Sequence, residues 1–150
     1  MTKIAVVRVR GSVGVRGAFN DTMRMLALTR VNHCSIVEEA QLGMVKLCKD
    51  YLTWGEVDAE ILETMIMKRG MKAGNIKVTD EDIAKTGFKT IDAFVKKFMS
   101  SEAKLADIGI KKVFRLHPPR KGYSFVKLHY PAGALGYRKG EINALLKRMI

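Results

Sequence analysis

The chain has 150 residues, with 27 Lys and Arg against 15 Asp and Glu and a formal net charge of +12. That length suits one compact domain with appendages, and a hydrophobic content of 47% is enough for a real core. No apolar run approaches the ~18 residues of a membrane span, and Cys34 and Cys48 form neither a disulfide framework nor a CxxC pair.

The first residues, Met1 to Arg8, lack a signal peptide's long apolar region and cleavage site. The two cysteines therefore read as small buried residues in a reducing cytosol. Lys3 to Arg10 alternates apolar and basic side chains and is rich in β-branched residues, which predicts a strand. Gly11, Gly14 and Gly17 then punctuate a loop. Their spacing is neither GxGxxG nor GxxxxGK[ST], so a nucleotide cradle is not indicated. The loop reads as flexible, with Arg10 and Arg16 available to a phosphate backbone. Asn20 or Asp21 can cap a helix running to about Val31. Cys34 to Glu38 reads as a second strand, Gln41 to Asp50 as a second helix, and Tyr51 to Val57 as a third strand. Two helices on one face of such a sheet leave the other face open or covered by the rest of the chain.

Asp58 to Arg69 is the clearest helix. Val57, Ile61, Leu62, Met65 and Ile66 mark its apolar stripe, acids sit early, bases sit late, and Gly70 ends it. Thr79 with the acids to Asp82 starts a short helix, and Thr90 to Met99 and Glu102 to Ile108 read as two more. Their apolar faces need a partner, most simply the N-terminal core. A fragment ending near Arg69 is expected to hold a core of its own. A last helix, Glu141 to Met149, carries Ile142, Leu145, Leu146 and Met149 on one face.

Charge divides the chain unevenly. Residues 1–57 carry eight basic and five acidic side chains, residues 58–110 nine of each, and residues 111–150 ten basic and one acidic. From Ile108 to Gly140 there is no Asp or Glu at all, and five of the eleven Phe, Tyr and Trp residues fall in that stretch. Cations interleaved with flat rings suit phosphates and unpaired bases. An anionic membrane is the competing polyanion. Pro and Gly between positions 118 and 140 break the helical period that a membrane-surface helix requires, so nucleic acid is favoured. Tyr123 and Tyr137 flank the cations; either they meet RNA or they pack on the protein and hold the loop.

Catalytic chemistry is not indicated. His33, His117 and His129 have no metal-like spacing among themselves or with Cys, and no Ser-His-Asp or Cys-His set is supported. The acids near position 80 are explained by capping. An enzyme acting on RNA would need a cluster of metal ligands or general bases, and none is evident.

Several blocks carry a resemblance. They are Ala5 to Gly11, Thr22 to Cys34, Gly43-Met44, Asp50 to Glu56, Phe114 to Tyr123, Gly133 to Arg138, and Ile142-Asn143. Through these the chain resembles the large-subunit ribosomal protein L thirty family in its long archaeal form, homologous to the eukaryotic protein L seven. The His117 to Gly122 and Gly133 to Arg138 blocks are the specific ones. The resemblance implies an α+β fold: a small three-stranded antiparallel sheet with two helices on one face, a relative of the ferredoxin-like arrangement. Added to it are a neutral helical module over residues 58–110 and a basic extension over residues 111–150, after a core over residues 1–57. It implies a cytoplasmic, non-enzymatic constituent of the large ribosomal subunit, needing no cofactor and no small-molecule substrate. Its partners would be ribosomal RNA and neighbouring ribosomal proteins, with no membrane. The alternative is a free RNA-binding regulator or chaperone sharing the fold. Resemblance and charge together nominate Arg8, Arg10, Arg16, Arg24 and Arg30 in the core. In the extension they nominate Arg115, His117, Arg120, Lys121, Tyr123, Lys127, Tyr137 and Arg138.

Overall fold

A computed structural model describes residues 3–79, 82–83, 88 and 90–150. The expected order of strand, helix, strand, helix, strand is present: β1 (Lys3–Arg8), α1 (Gly17–Met25), β2 (His33–Glu38), α2 (Leu42–Leu47) and β3 (Leu52–Glu56). α3 (Ala59–Arg69) and α4 (Ile91–Met99) follow, then β4 (Val113–Arg115), β5 (Gly136–Tyr137) and α5 (Ile142–Met149). The short helix expected from Thr79 lies partly outside the described residues. Within them, the Asp82 carboxylate accepts from the Thr79 amide at 3.1 Å and its hydroxyl at 2.8 Å. Glu102 to Ile108 forms only a 3-10 turn, Leu105–Ile108, closed by Gly109 in the left-handed region.

The sheet has five strands rather than three, in the order β4-β2-β1-β3-β5. β1 runs antiparallel to β2 and β3 at the centre, as expected. The acid-free segment supplies both additions. β4 joins the outer edge of β2, pairing His33 with Arg115, and β5 lies parallel to β3, pairing Thr53 with Gly136.

Alternation splits the sheet's side chains into two cores. Ile4, Val6, Leu52 and Trp54 face α1 and α2, meeting Met23, Leu28, Val45 and Cys48. Ala5, Val7 and Cys34 face the other way into the larger cluster. There they meet Ile61, Leu62, Met65 and Ile66 of α3, Phe94 and Phe98 of α4, Phe114 of β4, and Leu145, Leu146 and Met149 of α5. The face left open by the first two helices is thus covered by the rest of the chain. This cluster crosses both composition boundaries, near positions 57 and 110. Gly55 lets α5 seat on β3, since a Cβ there would stand 2.1 Å from the Lys139 carbonyl oxygen.

α1 departs from its expected span at both ends. It begins at Gly17, after Arg16 in extended backbone, with no side-chain cap. It ends at Met25 because Ala27 turns to φ +62°. The Leu28 amide then bonds the Met23 carbonyl at 2.8 Å, and the Ala27 amide bonds that of Arg24 at 2.9 Å. This is the paired closure in which glycine usually takes the left-handed position. Ala27 fills it here, so the sequence carries no stop signal.

Candidate nucleic-acid interface

Strand directions decide where the cations gather. β4 and β5 lie on opposite edges, so residues 116–135 must cross the sheet. They cross at the end where β1 finishes and β2 and β3 begin. The Leu116 amide bonds the Asn32 carbonyl at 3.2 Å, and the Tyr123 hydroxyl donates to Asn32 Oδ1 at 2.8 Å. Further along, His129 Nε2 lies 3.1 Å from Asp50 Oδ1. α5 brings its last turn to the same end, where the His117 amide bonds the Met149 carbonyl and the Arg120 amide bonds that of Arg148.

One end of the sheet therefore collects Arg10, Arg30, Arg115, His117, Arg120, Lys121 and Lys127, with Arg16 on the adjoining loop. All but the half-buried Arg10 are exposed. Arg10 donates to the Asp50 carbonyl and lies over the Tyr51 ring at 5.2 Å. Among the described residues, none of these Arg and Lys side chains has an ion pair. The opposite end is mixed in charge: Glu38 pairs with Lys3 at 2.7 Å, Glu56 and Asp58 lie there too, and Lys104 and Lys112 line one cavity with Glu38. The neighbouring Asn143 side chain there ties to the Asp58 amide and the Glu56 carbonyl. Exposed cations without an ion pair are thus gathered at one end, which would draw a polyanion there.

Five nominated residues are not brought to that surface. Arg8 is buried at 3% exposure. Its guanidinium donates to the carbonyls of Leu28 at 2.8 Å, Thr29 at 3.2 Å and Arg10 at 2.9 Å, pinning the α1–β2 turn. Arg138 is buried between β5 and its loop, donating to Thr53 Oγ1 at 2.9 Å and to the Gly133 carbonyl at 3.3 Å. Tyr123 packs with Val9, Ala134 and Leu135, and burial pushes its phenol pKa up. Tyr137 lies against Trp54 with centroids 6.4 Å apart, and its hydroxyl donates to Glu56 at the opposite end of the sheet. Arg24 is exposed on the last turn of α1, beside Met25, which lines a cavity together with Glu38. Four of these five are held by groups distant in sequence, which no local pattern reveals, while Arg24 is exposed at another place on the fold.

Arg8→Met is accordingly expected to destabilise the fold by about 2–4 kcal/mol, because three carbonyls lose a charged donor. It should leave the salt dependence of RNA binding unchanged. Urea melts and salt titrations of the same variant test both parts.

Two contributors had only weak sequence signals. Arg148, in the last turn of an amphipathic helix, reaches the Arg120 carbonyl at 3.5 Å. His33 pairs across the ladder with Arg115, and its Nδ1 accepts from the Arg30 amide at 3.3 Å. Burial first, then the charges of Arg115, Arg30 and Arg8, hold its pKa below the usual value of 6.5. The folded state therefore binds this proton less readily than the unfolded chain. Stability at His33 is complete above about pH 6.5 and declines as pH falls toward the folded pKa. An NMR titration should show His33 titrating below 6.5, and higher in Arg115→Ala.

The comparisons with known proteins agree with one another. The family model described as ribosomal protein L30p/L7e matches residues 4–52. The large ribosomal subunit protein uL30 of Methanococcus vannielii is 51% identical over 151 residues, covering 97% of this chain and 98% of the relative. The proteins of the same name from Methanobrevibacter smithii and Archaeoglobus fulgidus are 48% and 45% identical, with the same coverage.

Proposed function

Since the chain belongs to the ribosomal protein L30p/L7e family in its long archaeal form, we propose that it is a structural constituent of the large ribosomal subunit that clamps ribosomal RNA against one end of its sheet. The carrying observation is the crossing segment, which joins cations of the core to cations of the extension on one surface. Arg10, Arg16, Arg30, Arg115, His117, Arg120, Lys121 and Lys127 are the proposed contacts, and most of them meet phosphate. Phosphate contacts position a protein on RNA without reading its sequence. Docking a rigid sheet end onto folded RNA needs this kind of contact. The opposite end, mixed in charge, is left for neighbouring ribosomal proteins or solvent. No catalytic step belongs to this reading; the work is cohesion of the particle in the cytoplasm.

The test is sedimentation. The chain should travel with the large subunit through a gradient at high salt, where purely non-specific RNA binding is released. A chain that leaves the subunit at modest salt, yet still binds RNA, would instead act as a free regulator or chaperone.

A further inference from the structure

We propose that Phe125 is a base-stacking side chain, on whose ring an unpaired base of the bound RNA lies, with Lys127 beside it on the phosphate backbone. The proposal rests on the RNA-binding reading above and names a contact within it.

Phe125 is 72% exposed, more than any other aromatic side chain among the described residues. The other rings of its segment have protein partners. Phe114 is buried, Tyr123 donates to Asn32, Tyr130 lies under the Arg138 guanidinium, and Tyr137 rests on Trp54. No ring or cation of the protein covers Phe125 among the described residues.

Its backbone is held firmly. The Phe125 carbonyl accepts from the amides of Leu128 at 3.3 Å and Ala134 at 3.0 Å. The Leu135 amide bonds the Leu128 carbonyl at 3.1 Å, and the Gly133 amide bonds that of His129 at 2.9 Å. Gly133 permits this closure, because a Cβ there would stand 2.1 Å from the Leu128 carbonyl oxygen. Buried Ala134 and Leu135 anchor the platform on Val9. A ring presented on such a platform loses little conformational freedom when it is covered, so more of the contact energy appears as affinity.

The surrounding charge selects the occupant. Lys127 is exposed, no acid occurs from Ile108 to Gly140, and the nearby Asp50 is already engaged by His129. Val126 and Leu128 beside it are also exposed, but a flat ring next to a cation without an ion pair, in a segment without acids, matches a base and its phosphates.

The test compares wild type, Phe125→Leu, Phe125→Trp and Lys127→Gln in the full chain, binding purified large-subunit ribosomal RNA. Leu keeps apolar bulk and loses the plane. It should weaken binding about 5- to 150-fold, the range of one base stack, with the salt slope and the melting temperature unchanged. Trp should restore the affinity. Lys127→Gln should flatten the slope by about 0.7–0.9. If Leu binds as wild type does, stacking is overturned and the RNA-binding reading stands. If Leu binds RNA normally but fails to enter reconstituted subunits, the ring seats on a protein and the proposal is equally overturned. If wild type itself prefers large-subunit RNA no more than transfer RNA at equal salt, the underlying reading fails instead.

Discussion

Replacing Arg30, Arg115 and Arg120 together by Gln is expected to lower the affinity for large-subunit ribosomal RNA roughly 100- to 500-fold near 0.1 M salt. Each phosphate contact contributes about 0.7–0.9 to the slope of log affinity against log salt. Three contacts removed flatten that slope by about 2.1–2.7, and at one decade below 1 M the same figure is the loss in log affinity. The three arginines come from the α1–β2 turn, β4 and the turn after Pro119, so they are far apart in sequence and join only at the sheet end. All are exposed without an ion pair among the described residues, so their removal should not cost stability. The matching control replaces Lys68, Lys77 and Lys96, which lie on other surfaces and are likewise exposed. An equal loss from the control triple would mean that net charge alone drives binding, and the sheet-end surface would have no special standing. Replacing Arg120 and Lys121 by Ala should give a smaller change of the same kind.

A fragment ending at Arg69 is expected to be molten, contrary to what the first 69 residues promise when read alone. Its three central strands and the α1–α2 layer are present, but both edge strands, β4 and β5, are missing. The larger core is not. Ile61, Leu62, Met65 and Ile66 on α3 would lose Phe94, Phe98, Phe114, Leu145 and Leu146 as neighbours. Burial of one such side chain contributes about 1.5–3 kcal/mol. Five of them therefore equal the whole net stability of an ordinary domain, about 5–15 kcal/mol. The fragment should keep far-UV helix and strand signals, bind a hydrophobic dye and lack sharp amide dispersion. A cooperative urea transition with good dispersion would show that α3 alone closes the sheet face.

Local information reached the elements whose signals are short-range. β1 is legible from its β-branched residues, though the polar side that alternation suggests is absent because all six of its residues are buried. α3 is legible from its apolar stripe and dipole-ordered charges, α4 from Thr90, whose hydroxyl caps the Ala93 amide, and α5 from four apolar residues at helical spacing. The excess of cations in residues 111–150 was legible by counting, and the family by its blocks of residues. The ends of α1 are not legible, because Arg16 and Ala27 occupy terminal positions where capping residues and glycine usually stand.

Tertiary structure alone decided the rest. β4 and β5 span three and two residues, too short for any period to show, and they exist because β2 and β3 offer edges to pair with. Those pairings force the basic segment across the sheet end and so define the candidate surface. They also sort the cations. Arg8 and Arg115 look alike in sequence, but Arg8 points into the α1–α2 side, where buried carbonyls need a donor. Arg115 lies on an edge strand, exposed and without an ion pair. Residue type determined that this chain carries an excess of positive charge. Which charges face outward depended on where unsatisfied carbonyls were buried, and that is a property of the assembled chain.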